Sequence, residues 1–116
     1  MSGNSKTIFK KIIDGEIPAE IVYEDDHCLA FHDIAPQAPI HILVIPKKEI
    51  PNLNAVSAED LNIVGHLIMA IQKITRDLGV EQSYRLISNC GEAAGQTVHH
   101  LHLHILAGRD LDWPPG

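Results

Sequence analysis

His100-Leu101-His102-Leu103-His104-Ile105-Leu106 alternates imidazole with aliphatic side chains without a break, and a period of two is the mark of a β-strand whose faces meet different surroundings. The spacing predicts a strand beginning near Thr97, with Leu101, Leu103 and Ile105 turned into the core and the three histidines on the opposite face. An inert strand would carry Thr, Lys or Ser there. Histidine titrates near neutrality and serves as nucleophile, acid, base or metal ligand, so three in register mark a candidate site.

Alternate strand residues are about 6.6 Å apart, which puts His100 and His104 about 13 Å apart at the backbone. One tetrahedral metal held by all three would need Zn–N bonds of about 2.1 Å from a nearly collinear set, and the spacing argues against it. Two neighbouring histidines plus His41 remain open as a zinc site. Catalysis uses the row more naturally. His102 alone has a histidine on each side, so one ring nitrogen can attack while the other is held, and the flanking imidazoles can serve the leaving group. Attack at phosphorus would give a phosphohistidine-type intermediate. The loop Asn89-Cys90-Gly91-Glu92-Ala93-Ala94-Gly95-Gln96-Thr97 supplies an amide, a hydroxyl and unobstructed backbone N–H groups just before the row, as a phosphate requires.

Outward from this stretch, the chain reads as α+β. Ile8, Phe9, Ile12 and Ile13 form the apolar face of a short helix, capped by Thr7 and stopped by Gly15. Glu20 to Glu24 and Cys28 to Asp33 flank Asp25-Asp26-His27 as a hairpin. Ala35-Pro36-Gln37-Ala38-Pro39 is a rigid connector to a nearly all-apolar, hence central, strand His41 to Ile45 that Pro46 ends. Ser57 and Asp60 resemble a capping box ahead of Leu61, Val64, Leu67, Ile68, Ile71, Ile74 and Leu78, which keep helical spacing to Gly79. Tyr84 to Ser88 makes a fourth strand. The expected architecture is a five-stranded, mainly antiparallel sheet with one long helix and a short N-terminal helix, in a single domain over 7–116 behind a flexible stretch 1–6.

A chain of 116 residues with 45% hydrophobic residues suffices for one core and not for two. Fifteen acidic against nine basic residues give a net charge of -6, which opposes general affinity for nucleic-acid polymers and anionic membranes while leaving room for a small anionic ligand. No signal-peptide core or membrane span can be drawn, so the expected location is cytoplasmic, or also nuclear in a nucleated cell. Cys28 and Cys90 are too far apart in sequence for a Cys-x-x-Cys unit and read as buried, reduced thiols. His27, His32, His66 and His99 individually read as surface or packing residues.

The pattern His-φ-His-φ-His-φ-φ resembles the histidine triad superfamily of nucleotide hydrolases and transferases. Phe31-His32-Asp33-Ile34, Pro36 to His41, Ile45-Pro46-Lys47-Lys48 and the ending Ala107-Gly108-Arg109 through Trp113-Pro114-Pro115-Gly116 are similar to its Hint branch. The resemblance implies a homodimer with the two sheets joined, each subunit binding a purine nucleoside monophosphate and cleaving P–N bonds of adenosine phosphoramidates or aminoacyl adenylates, with no metal and no cofactor. It implies that His102 becomes adenylylated, that His104 contacts phosphate and leaving group, and that His100 and His41 form the supporting relay. Asp33 would hold the ribose beside Ile34, and Asn89, Gly95, Gln96 and Thr97 would surround the phosphate. Ile8, Phe9, Ile12, Phe31 and Leu43 would sandwich the base, with His32 and Val98 in the same nucleotide-binding set and Trp113 in a tail at the dimer interface. Thr97 stands where this branch often has Ser, His99 where an aromatic is frequent, and Ala93-Ala94 where glycine is common. Retention of His104 favours hydrolysis over nucleotidyl transfer. The alternatives are a dinucleoside polyphosphate hydrolase and a non-catalytic nucleotide-binding scaffold.

Overall fold

The computed structural model describes residues 5–116. Of the expected flexible stretch 1–6, residues 1–4 lie outside the described residues, and Lys6 is tied by ion pairs to Asp14 and Glu16. The elements in order are α1 (Ile8–Ile13), β1 (Ile21–Glu24), β2 (Cys28–His32), β3 (Ile40–Pro46), α2 (Leu61–Asp77), β4 (Arg85–Ile87) and β5 (Leu103–Ala107), with short 3-10 turns between. Every strand pairing is antiparallel, and the sheet order is β1-β2-β3-β5-β4. The expected α+β architecture is the one observed.

Local chemistry explains the helices. The Thr7 hydroxyl accepts the Lys10 N–H at 3.1 Å at the start of α1, and Gly15 takes φ +76° just past its end. Ser57 and Asp60 form the capping box, and Lys48 donates to the buried Asp60 carboxylate at 2.6 Å, tying the entry of α2 to the chain beyond β3.

The sheet is covered on both faces. Alternate residues Cys28, Ala30, Ile42, Val44, Leu103 and Ile105 pack with Leu67, Ala70, Ile71 and Ile74 of α2. Leu29, Phe31, Leu43 and Ile45 face the other way and pack under Phe9 of α1. Burial on both faces is why β2 and β3 are continuous apolar runs rather than alternating ones. Outside this core, Leu61, Ile68 and Leu78 are exposed although they keep the helical period. Leu61 and Ile68, seven residues apart, lie on a side of α2 turned away from the sheet, and Leu78 follows its last residue.

The histidine stretch departs from expectation in two ways. Regular pairing begins only at Leu103, opposite Val44, so His100, Leu101 and His102 precede the strand. Two residues further on, this register would bring Leu101 opposite Pro46, which has no N–H to offer. Leu101 instead donates its N–H to the Ile50 carbonyl at 2.6 Å. The histidines also do not lie on a solvated face, because α1 covers that side, and His100 and His102 are 1% and 6% exposed. Leu101, Leu103 and Ile105 are in the core as expected.

Candidate active site

β5 supplies His104, the segment leading into it supplies His102 and His100, and β3 supplies His41. Leu43 pairs with His104 across the β3–β5 ladder, and His41 and Leu43 share a face, so the imidazoles of His41 and His104 meet. Ring centroids fall in a row, 5.2 Å from His41 to His104 and 5.1 Å from His104 to His102, and the Phe9 ring lies edge-on to His102 at 5.0 Å and to His100 at 6.3 Å.

The hydrogen bonds assign a proton to each ring. The Gln37 backbone N–H donates to His41 Nδ1 at 3.0 Å, so a neutral His41 carries its proton on Nε2. That Nε2 lies 2.9 Å from His104 Nδ1, which must accept, placing the His104 proton on Nε2. His104 Nε2 is buried and has no partner. An unmade hydrogen bond of this kind costs about 1–3 kcal/mol, and its presence beside other reactive groups points to a ligand acceptor. His102 Nδ1 faces the His100 carbonyl at 2.6 Å, which makes it the protonated nitrogen and leaves Nε2 with its lone pair. His100 in turn donates from Nε2 to the Pro46 carbonyl at 2.8 Å.

Burial, followed by the proximity of His102 and His41, lowers the His104 pKa to about 4 from 6.5, and burial also lowers that of His100. Between pH 6.5 and 4 the unfolded chain takes up the His104 proton and the folded chain does not. The stability this group confers is therefore complete above pH 6.5 and lost as the pH falls toward 4. Urea denaturation at pH 7.5 and 4.5 is expected to show a wild-type loss of roughly 2 kcal/mol traceable to His104, absent in His104→Gln. Equal pH sensitivity of the two proteins would contradict this environment.

Asp33 adds a carboxylate at the end of the row. Its Oδ1 accepts the Ala35 N–H at 2.8 Å and its Oδ2 lies 3.5 Å from His41 Nε2. One donor atom from each of Asp33, His41 and His104 lies within 4.8 Å of the others, a spacing that a metal ion could bridge. The hydrogen bonding runs against one. A neutral imidazole that binds metal through Nε2 carries its proton on Nδ1, where His41 already meets the Gln37 N–H.

Adjoining the histidines is a cleft of about 350 Å³, lined by Ile8, Phe9, Ile12, Ile17, Pro18, Ala19, Phe31, His32, Asp33, Ile34, Leu43, Thr97 and Val98. Phe9 and Asp33 belong to both cleft and histidine row. A hollow of about 500 Å³ between Arg85–Asn89 and the C-terminal tail is roomier; none of the four histidines lines either space, and the smaller cleft alone shares Phe9 and Asp33 with their contacts. The walls of that cleft are mostly apolar, with His32, Asp33 and Thr97 as the polar groups, a composition that suits a small-molecule ligand.

Most residues singled out from the sequence converge here, and some are differently employed. Phe9, Phe31 and Leu43 are at once core and cleft wall, and Ile34 stands at the lip, 98% exposed. Gln96 has a structural use: its side chain accepts the Gly91 N–H and donates to the Pro51 and Val98 carbonyls, closing the loop on itself. Gly95, at φ +95°, brings the backbone against the Asn89 side chain. Asn89 and Trp113 line the hollow at the edge strand rather than the apolar cleft. Cys90, expected to be buried, is exposed, whereas the buried Cys28 thiol is pushed up to about 12 by desolvation. His27 and His66 stack on each other at 3.9 Å, away from the row. Residue types did not reveal the Gln37 N–H or the Pro46 carbonyl, because backbone groups carry no sequence label. Ile17, Pro18 and Ala19 were also missed, since they lie outside any periodic element.

Comparison with known proteins agrees with this geometry. The HIT domain model matches residues 14–111. Uncharacterized HIT-like proteins of Synechocystis and Synechococcus elongatus are 57% and 58% identical over 110 residues, covering 95% of this chain and 96% of each relative. A HIT family hydrolase from Legionella pneumophila superposes with a TM-score of 0.93 at 45% identity, over 96% of this chain and all of that one. A histidine triad protein from Clostridium difficile gives 0.86 at 49% identity, over 90% and 92% of the two chains. With the family model matching residues 14–111 and the fold shared along nearly its whole length, this chain belongs to the histidine triad (HIT) family.

Proposed function

We propose that this protein is a hydrolase of the Hint branch, a metal-independent purine nucleoside phosphoramidase that cleaves the P–N bond of adenosine 5'-phosphoramidates, and the P–O bond to the acyl group in aminoacyl adenylates, through a nucleotidyl-His102 intermediate. One observation carries the reading: His102 commits Nδ1 to the His100 carbonyl, while the neighbouring His104 holds a buried Nε2–H with no partner. A lone pair and an orphan donor side by side match a nucleophile and a group that binds phosphate oxygen or the leaving atom.

In this reading the base lies between Ile8, Phe9, Ile12, Phe31 and Leu43, with the ribose near Asp33 and the phosphate between Thr97 and the histidines. His102 Nε2 forms a bond to phosphorus as the P–N bond breaks, and the departing nitrogen takes a proton from solvent to leave as an amine. The imidazolium so formed keeps its Nδ1–H on the His100 carbonyl at 2.6 Å, where the positive charge strengthens the bond. Water then attacks phosphorus as the Nε2–P bond breaks, the proton lost by the water returns to solvent, the nucleoside monophosphate departs, and His102 regains its Nε2 lone pair.

A homodimer accompanies this proposal. β4 is an edge strand, paired only with β5. Leu86 pairs with Ile105, whose side chain faces α2, so the 38%-exposed Leu86 stands at the edge on the side of α2, where Leu61 and Ile68 are also exposed. Pairing β4 with its copy would continue the sheet and cover Leu86.

The test is kcat/KM for adenosine 5'-phosphoramidate and for a diadenosine polyphosphate, measured in excess chelator. The proposal expects the phosphoramidate to be preferred by at least ~100-fold. Faster P–O–P cleavage would favour the dinucleoside polyphosphate hydrolase, and turnover of neither would leave a nucleotide-binding scaffold.

A further inference from the structure

We propose that Arg109 is a positioning residue for the histidine row, acting through the backbone of Gln37 to fix the tautomers of His41 and His104. The inference rests on the site having the function above, yet it is a statement about proton placement that can be read without any substrate.

The N–H that meets His41 Nδ1 comes from the connector 35–39, and few of its groups can supply one. Pro36 and Pro39 have no N–H, and the Ala35 N–H is already given to Asp33 Oδ1 at 2.8 Å. The Gln37 N–H reaches His41 Nδ1 at 3.0 Å. The opposite side of the same residue is gripped from beyond β5: Arg109 donates from Nη2 to the Gln37 carbonyl at 3.0 Å and from Nε at 3.3 Å. Arg109 Nη1 donates to the Asp110 carbonyl at 2.8 Å, which holds the guanidinium in this orientation. Gly108, at φ +93°, allows the approach, because a Cβ there would stand 2.9 Å from Pro39 Cβ.

The consequence for the chemistry runs through two rings. With the Gln37 N–H in place, His41 offers Nε2–H to His104 Nδ1, and the His104 proton stays on Nε2, facing the ligand. With the connector released, His41 can carry its proton on Nδ1 and present a bare Nε2. His104 then donates from Nδ1 and turns a lone pair, rather than a proton, toward the phosphate. A group that bound the phosphate would now repel it. Arg109 touches neither ligand nor reacting atom in this scheme, and a lysine in its place could keep one of its hydrogen bonds but not the fork.

Arg109 is exposed, so its replacement should leave the fold intact, which a melting temperature close to wild type would verify. The decisive readout is nitrogen-15 NMR of the histidine rings in wild type, Arg109→Ala and Arg109→Lys, without substrate. The expected result is a single Nε2–H form of His41 and His104 in wild type, a mixture of both tautomers in Arg109→Ala, and an intermediate state in Arg109→Lys. In turnover of adenosine 5'-phosphoramidate, Arg109→Ala should lose roughly tenfold or more in kcat, with affinity for nucleoside monophosphate within about threefold of wild type. Unchanged ring tautomers in Arg109→Ala would overturn the proposal, as would a loss confined to KM. A tautomer shift in a protein whose wild type turns over no phosphoramidate would support the positioning role and overturn the function assigned above.

Discussion

His102→Ala is expected to abolish turnover of adenosine 5'-phosphoramidate, lowering kcat by at least ~10³-fold while the nucleoside monophosphate still binds. The affinity should survive because the apolar walls of the cleft, from Ile8 to Val98, do not include His102. Size of effect separates a nucleophile from its supports. Removing His41 or His104 leaves a lone pair that can still attack, whereas removing His102 leaves no atom to form the bond to phosphorus. His102→Ala activity within tenfold of wild type, under chelation, would mean that another residue attacks or that water does so directly.

Ile42→Ala is expected to cause a large loss of stability. Ile42 is fully buried in β3, pairs with His32 on one side and Ile105 on the other, and faces α2. Deleting its outer carbons removes buried apolar area and leaves a cavity in a strand held between β2 and β5 and covered by α2, at a cost of about 3–4 kcal/mol. Against a total of about 5–15 kcal/mol, this is a substantial fraction of the stability of the domain. The melting temperature should fall by roughly 10–20 °C, read at one fixed protein concentration. A loss under about 1 kcal/mol would show that the helix can close onto the sheet, and that the two-sided burial of β3 is less rigid than the packing indicates.

The histidine stretch illustrates how much of this was legible beforehand. Alternation placed Leu101, Leu103 and Ile105 in the core correctly, because side-chain period depends only on extended backbone. It overstated the strand, since where pairing stops depends on the partner, and Pro46 with its missing N–H lies more than fifty residues away in sequence. It also left the histidines on an outer face, because a period of two distinguishes the faces without saying what covers each. Phe9 of α1 decides that, and only its own periodicity hinted at a partner.

The roles within the site follow the same division. Candidate side chains could be named from their types and from the resemblance, and the cleft brings Ile8, Phe9, Ile12, Phe31, Asp33, Leu43, Thr97 and Val98 together. The protonation of each ring could not be named, because it is set by the Gln37 N–H and by the carbonyls of His100 and Pro46. Gln96 has a use that its residue type did not reveal: its side chain meets three backbone groups of the chain. The exposed Leu61 and Ile68 of α2 were hidden among buried neighbours of the same spacing, and Cys90 lies in a loop where no period predicts burial.

A bond between His102 Nε2 and phosphorus is the step that separates this scheme from direct attack by water. It is tested most directly by mixing wild-type protein with adenosine 5'-phosphoramidate radiolabelled in the nucleoside, quenching within the first turnover, and mapping the label by mass spectrometry under conditions that preserve phosphohistidine-type bonds. The expected result is a single acid-labile nucleotidyl group on His102, formed and lost at rates consistent with turnover. Full turnover with no covalent label, or label on His104 or His41 instead, would contradict it.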